Sequence, residues 1–246
     1  MPLREEFESN GTWLFRWRSY LPLLLVALFL LALRDYHYIG DSEELDDLWE
    51  LVCLVTSFLG LGIRAFTVGY APRGTSGRNT RKQIADTLNT TGLYSVVRNP
   101  LYLGNFFMGL GPAMFAGLWW LVLIYMLAFA LYYERIIFAE EAFLRERFGE
   151  VWIQWAERTP AFFPRFRQYV RPQLSFSWRT VLRREYNGLF GVVSALFVLE
   201  VVGDLAYLGH FELDGDWLWL ISASFMLWVV LRVLKKYTHV LDVDGR

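Results

Sequence analysis

Leu118–Phe138 reads LWWLVLIYMLAFALYYERIIF, a run with no charged residue before Glu134. It is long enough to carry an α-helix through the roughly 30 Å apolar core of a bilayer. A helix is required there because the bilayer interior offers a peptide group no hydrogen-bonding partner except another peptide group. Outward from it, the chain holds six such apolar runs: Trp17–Leu33, Leu48–Gly69, Leu101–Phe115, Leu118–Phe138, Asn187–Leu208 and Trp217–Leu234. The third is short and contains Gly104, Gly109, Gly111 and Pro112. That composition predicts a helix that is bent, tilted or partly unwound where protein or a polar cavity can satisfy its backbone. The expected fold class is an all-α, polytopic membrane helical bundle of about six transmembrane helices with a cytoplasmic juxtamembrane segment.

Composition agrees. Of 246 residues, 55% are hydrophobic and 18% aromatic, too apolar and too rich in tryptophan for an ordinary soluble domain. The net charge of -1 gives no field for a polyanion, so no nucleic-acid partner is expected. The single cysteine, Cys53, lies in an apolar run and excludes both an intrachain disulfide and a cysteine-based zinc cluster. Near the N-terminus, Glu5, Glu6 and Glu8 stand where a cleavable signal would carry basic residues, so the first run is expected to remain in the protein.

Charge in the connections sets the orientation. Asp35–Asp47 holds Asp41, Glu43, Glu44, Asp46 and Asp47, and Gly209–Asp216 holds Glu212, Asp214 and Asp216, with no lysine or arginine between Tyr36 and Asp47 or in the second loop. The other connections are basic: Arg73, Arg78, Arg81, Lys82 and Arg98, then Arg145 through Arg184, then Lys235 and Lys236. Cytoplasmic loops carry the excess of lysine and arginine. Six spans threaded from a cytoplasmic N-terminus put every basic segment inside and both acidic loops outside, so an integral, multi-pass protein with both termini cytoplasmic is predicted. Glu140–Arg184 is too broken by Pro160, Pro164 and Pro172 to span, and mixes aromatics with arginines. It reads as cytoplasmic structure against the membrane surface, with Trp152, Trp155, Phe162, Phe163 and Trp178 as interfacial anchors. Residues 1–246 form a single membrane domain on this reading, with 185–236 as an additional C-terminal helical pair.

Chemistry concentrates in two places. The first is Thr91-Gly92-Leu93-Tyr94-Ser95-Val96-Val97-Arg98-Asn99-Pro100-Leu101-Tyr102-Leu103-Gly104-Asn105, where a basic loop enters a span. Taken alone it is a helix start with proline in the first turn and an arginine at the headgroups. The second is Glu140-Glu141-Ala142-Phe143-Leu144-Arg145-Glu146-Arg147-Phe148-Gly149, followed by Pro164-Arg165-Phe166. Glu141 and Arg145 are four apart and could form an ordinary helical pair. Carboxylates at a buried span end, however, are costly without a partner or a cavity.

Together, Gly-x-Tyr-x-x-x-Arg-x-Pro-x-Tyr-x-Gly, a hairpin of two spans, Glu-Glu-x-x-Leu, Phe-Gly and a closing Pro-Arg-Phe resemble the isoprenylcysteine carboxyl methyltransferase and phospholipid methyltransferase family. The resemblance covers about Leu88–Phe166 and implies a methyltransferase-like catalytic core over 88–166. The reaction it implies is methyl transfer from S-adenosylmethionine to a lipid-borne acceptor. Carried over by position, it implies Arg98, Asn99 and Tyr102 as catalytic residues and Tyr94, Pro100, Gly104, Glu140 and Glu141 as cofactor-binding residues. The partners implied are a lipid or lipidated substrate and the membrane. One departure matters: Asn99 stands where the family usually has histidine, and an amide cannot act as a base near neutrality.

Methyl transfer from a sulfonium asks mainly for positioning and exclusion of water. On the implied arrangement Glu141, with Glu140, meets the ammonium or ribose hydroxyls of the cofactor, while Tyr94 and Tyr102 hold its flat and cationic parts. Arg98 suits a carboxylate or phosphate, of the acceptor or the cofactor, because its planar fork donates two hydrogen bonds. An oxygen acceptor therefore ranks above an amine, which would have to lose a proton. Elsewhere, Arg64 reads as a snorkelling residue near a span end, with a substrate-facing role as the alternative. His37, His210 and His239 lack metal-ligand spacing, so no metal is expected. Glu200 and Asp204 could face a polar cavity or the outer interface. The rival readings are a membrane reductase of the sterol reductase type, using NADPH, which would typically have glutamate at Asn105, and a non-catalytic scaffold.

Overall fold

A computed structural model describes residues 3–17, 23–72, 75, 85–211 and 213–246. Arg73, Arg78, Arg81, Lys82 and Glu212, and positions 18–22 of the first predicted span, lie outside the described residues. The described chain is helical: α1 (Leu3–Trp17), α2 (Leu23–Ala32), α3 (Glu43–Gly69), α4 (Pro100–Met114), α5 (Trp119–Phe148), α6 (Glu150–Arg158), α7 (Trp178–Leu208) and α8 (Gly215–Tyr237). Four of these, α3, α5, α7 and α8, are long and apolar enough to cross a membrane. Their faces explain why. On α5, Leu121, Tyr125, Phe129, Tyr133 and Ile136 are buried at helical spacing, while Leu123, Ile124, Leu127 and Leu131 stand exposed on the other side. A helix apolar all round, with one side left uncovered, is built for lipid.

Among the described residues these four reach span length on their own, and the expected six are not all present as full spans there. Helix α4 has 15 residues and the described part of the first span, α2, has 10, so at 1.5 Å per residue they rise about 22 Å and 15 Å. Both fall short of the apolar thickness. Trp49 near the start of α3 donates to the carbonyl of Met114 at the end of α4 (3.0 Å), and the start of α7 is tied to the end of α3 by Ser177 N–H to Gly69 O (2.9 Å). Thus α3 runs antiparallel to both neighbours. One end of the bundle gathers the acidic connections and the other the basic ones, where Arg183 pairs with Asp242 at 2.8 Å and Arg246 caps Gly69 O at 2.8 Å.

Helix α4 is continuous, not unwound, and α3 makes that possible. Pro112 has no N–H, which leaves the carbonyl of Met108 one turn back without its helical donor. Buried Ser57 of α3 donates to it at 3.2 Å. The two helices approach so closely that a Cβ on Gly111 would stand 2.0 Å from Ser57 Oγ and 2.3 Å from Cys53 O, and one on Gly60 would stand 2.4 Å from Gly104 O. Glycine here is a packing requirement. Gly111→Val should therefore cost about 3 kcal/mol through overpacking, read as a lowered unfolding midpoint in detergent.

Two parts of the structure add to the sequence reading. Helix α1 packs on α5, with Arg135 3.4 Å above the Phe7 ring and Gly11 against the Arg135 carbonyl. Beyond α5, Gly149 at φ 55° turns the chain into amphipathic α6. Of the five predicted anchors, Phe163 and Trp178 are exposed, but Trp152 is buried, Trp155 donates to Tyr94 O at 3.1 Å, and Phe162 packs against Phe106 and Phe129. Helix α6 and the segment after it thus form a cover over the bundle, held inward by Trp152 and Trp155 of α6 and by Phe162 beyond it.

Candidate active site at the basic end

The loop preceding α4 is stitched to the cover by three main-chain bonds and one to a side-chain hydroxyl. Arg98 N–H donates to Pro160 O (2.9 Å), Arg165 N–H to Val96 O (3.0 Å), Gly92 N–H to Val170 O (2.9 Å), and Val170 N–H to Ser95 Oγ (2.9 Å). The Arg-Asn-Pro turn and the closing Pro-Arg-Phe, some sixty residues apart in sequence, therefore form one unit. Pro100 is buried at the first position of α4, where a missing N–H is harmless and φ is already helical. Asn99 precedes it and donates from Nδ2 to Ala161 O at 3.2 Å, while its side chain also contacts Glu141. Its visible work is to join the turn, the cover and α5.

Arg98 reaches Glu141 across this junction, with Nε 3.3 Å from Oε1. The side chains are only 19% and 24% exposed, and neither of those two atoms has a hydrogen-bond partner. Charge attraction is present without hydrogen-bond geometry, an arrangement costly to leave buried and open to a polar ligand. Glu141 thus turns to Arg98; the ordinary pairing with Arg145 is not what places it. Tyr94 lies close enough to Glu140 for that carboxylate, after burial as the larger cause, to push its phenol above the usual range. Tyr102 is buried with its ring 4.7 Å from that of Tyr133. Gly104 is the residue the structure sets apart: a Cβ there would meet Arg64 Cγ at 2.5 Å and Gly60 O at 2.8 Å, so it faces α3.

Arg64 is not a snorkelling residue. Its guanidinium makes a two-pronged pair with buried Glu185 of α7, Nε–Oε2 2.8 Å and Nη2–Oε1 2.9 Å, and its remaining arm donates to Asn105 Oδ1 at 2.7 Å. Asn105 in turn donates to the Tyr133 hydroxyl at 3.0 Å. Four helices, α3, α4, α5 and α7, are thereby tied at one level, and this network escapes a reading span by span. The available signal was one polar residue in each of three apolar contexts, Arg64, Asn105 and Glu185. Beneath it lies a cavity of about 790 Å³ bounded by α2, α4, α5 and α7, with Asn105, Tyr132 and Tyr133 at its polar margin and Phe29, Phe129 and Leu199 among its apolar walls. Its size suits an amphiphile's chain.

The described residues form a membrane protein that holds a half-buried Arg98–Glu141 pair at its basic end and, deeper in the bundle, an apolar cavity lined by neither of those two residues. Residues 51–151 match the model of the phospholipid methyltransferase family. The match takes in α3, and so Arg64, which the motif reading from Leu88 had left out. The chain is 37% identical over 153 residues to the nickel-cobalt-cadmium resistance protein NccN of Alcaligenes xylosoxydans xylosoxydans, covering 61% of this chain and 63% of that protein. It is 37% identical over 155 residues to the cobalt-zinc-cadmium resistance protein CzcN of Cupriavidus metallidurans, covering 62% and 64%. A protein-S-isoprenylcysteine O-methyltransferase of Schizosaccharomyces pombe is 34% identical over 77 residues, covering 31% of this chain and 33% of that enzyme. The chain thus spans a little under two thirds of the two resistance proteins and about a third of the methyltransferase. No solved structure matches it.

Proposed function

We propose that the protein transfers a methyl group from S-adenosylmethionine to a lipid-borne acceptor, at a carboxylate or phosphate oxygen in preference to an amine. The observation that carries this is the half-buried Arg98–Glu141 pair, whose Nε and Oε1 lack hydrogen-bond partners. A cation and an anion side by side complement the zwitterionic end of an amino acid, so Arg98 would hold the cofactor's carboxylate and Glu141, with Glu140, its ammonium. Tyr94 and Tyr102 would line the same recess, Asn99 and Pro100 would fix the turn, and Gly104 would act indirectly by letting α4 close on α3. S-adenosylmethionine supplies an electrophilic methyl on a sulfonium. What this chain does is bind, orient and exclude water, for which the cover over residues 160–170 is suited.

The preference for oxygen follows from the residues at the junction. Arg98 can orient an anionic oxygen that needs no base, and Asn99 supplies no titrating group to deprotonate an amine. The family's usual location of its site supports placing the basic end and both termini in the cytoplasm. The names of the two resistance proteins suggest the setting, a membrane modification made when divalent metals are in excess. Membranes containing the protein, incubated with labelled methyl donor, should yield an extracted lipid species heavier by one methyl. Glu141→Ala should weaken binding of S-adenosylhomocysteine by at least about tenfold, as expected for loss of a charged hydrogen bond. Equal binding by the variant would remove Glu141 from the cofactor site, and an NADPH difference spectrum would favour the reductase reading.

A further inference from the structure

The acidic end of the bundle holds a second constellation, unrelated to the Arg98–Glu141 junction. Asp46 and Glu50 at the start of α3 and Glu200 and Asp204 near the end of α7 are all buried. Burying so many carboxylates in one place demands donors. Most have them. Asp46 accepts from the Tyr36 hydroxyl and from Ile39 N–H (3.0 Å), Glu50 from Trp217 Nε1 (2.8 Å), and Asp204 from the Tyr38 hydroxyl (3.1 Å). Glu200, only 5% exposed, meets the Glu50 carboxyl through its side chain, but its Oε2 is fully buried without a hydrogen-bond partner.

Glu200, Asp204 and Asp214 each place one carboxylate oxygen so that all three lie within 4.8 Å of one another. Oxygen ligands sit about 2.0–2.6 Å from a divalent cation, so opposing ligands are about 4–5 Å apart and adjacent ones closer. The three oxygens therefore fit one coordination sphere. Asp214 immediately precedes α8 and is exposed, which gives an ion a path from water to the buried pair. Asp47 and Asp216 stand near Asp214 and deepen the negative potential at that entrance. A cation would give the unpartnered Glu200 Oε2 a partner and offset the gathered carboxylates, and carboxylate-only donors favour the hard, oxygen-preferring ions over those that seek imidazole or thiolate.

We propose that Glu200, Asp204 and Asp214 bind a divalent cation of the oxygen-preferring class, Mg2+, Ca2+ or Mn2+. The site ties the end of α7 to the start of α8 at the face of the bundle opposite the Arg98–Glu141 pair, and its existence does not depend on the methyl-transfer reading. Histidine spacing could not reveal it, because no histidine takes part.

The test uses the full chain in nanodiscs of neutral lipid, stripped with chelator and titrated with Mn2+ while the free ion is followed by electron paramagnetic resonance. One saturable Mn2+ per chain is expected, together with a metal-dependent rise in the unfolding midpoint. Glu200→Gln and Asp214→Asn should each weaken Mn2+ binding at least tenfold, and Asp214→Asn should abolish the rise in midpoint while leaving the metal-free midpoint in place. Asp214 is exposed, so that variant decides the question even if Glu200→Gln does not fold. Absence of saturable binding, or binding unchanged in Asp214→Asn, would overturn the proposal. The first of these results would leave Glu200 as a buried carboxyl whose partner is Glu50 alone.

Discussion

Glu185→Leu is expected to destabilise the protein by about 3–5 kcal/mol, the usual consequence of removing one partner of a buried ion pair. Arg64 would keep its charge at a level where α3, α4 and α7 are packed and only Asn105 remains to accept from it. The result should be visible as a lower unfolding midpoint in detergent and a smaller folded fraction in membranes. The double variant Arg64→Met, Glu185→Leu should recover most of that loss, because it removes both desolvation penalties and leaves apolar side chains of similar volume. Turnover should stay reduced in the double variant, since Asn105 loses the arm that orients it toward Tyr133 at the margin of the cavity. Full recovery of turnover along with stability would show that the network only holds helices together.

The separation of acidic from basic connections was legible because charge near span ends follows a rule read one loop at a time. The family was legible because its two motifs are local and ordered. Less legible was anything set by two helices at once. The glycines and Pro112 of α4 pointed to irregularity, yet the helix runs unbroken because Ser57, fifty residues away, donates to the orphaned Met108 carbonyl. Arg64 reads like any arginine near a span end until Glu185 is found opposite, and Glu185 itself sits in a stretch dominated by Arg183 and Arg184. Glu200 and Asp204 were compatible with a cavity or an interface. Which one holds depends on Glu50, Tyr38 and Trp217, contributed by three other segments. Period and composition describe a helix's own faces, and partner choice lies outside them.

Arg98→Lys should reduce turnover about 100-fold or more, with little change in the unfolding midpoint. The guanidinium is tied to the fold only loosely: its contact with Glu141 is 3.3 Å without hydrogen-bond geometry, whereas the turn itself is held by the backbone bond from Arg98 N–H to Pro160 O, which lysine preserves. Lysine also keeps the charge, so attraction to Glu141 and to an anionic ligand persists. What it loses is the planar fork that fixes an oxyanion by two parallel bonds. A reacting oxygen held by a point charge on a flexible stem wanders by about an ångström, and a displacement of that size costs roughly two orders of magnitude in an in-line transfer. The loss should fall on kcat more than on S-adenosylhomocysteine affinity if Arg98 orients the acceptor, and on both if it holds the cofactor's carboxylate. Measuring the two together in one variant separates these roles, and unchanged turnover would take Arg98 out of the reaction altogether.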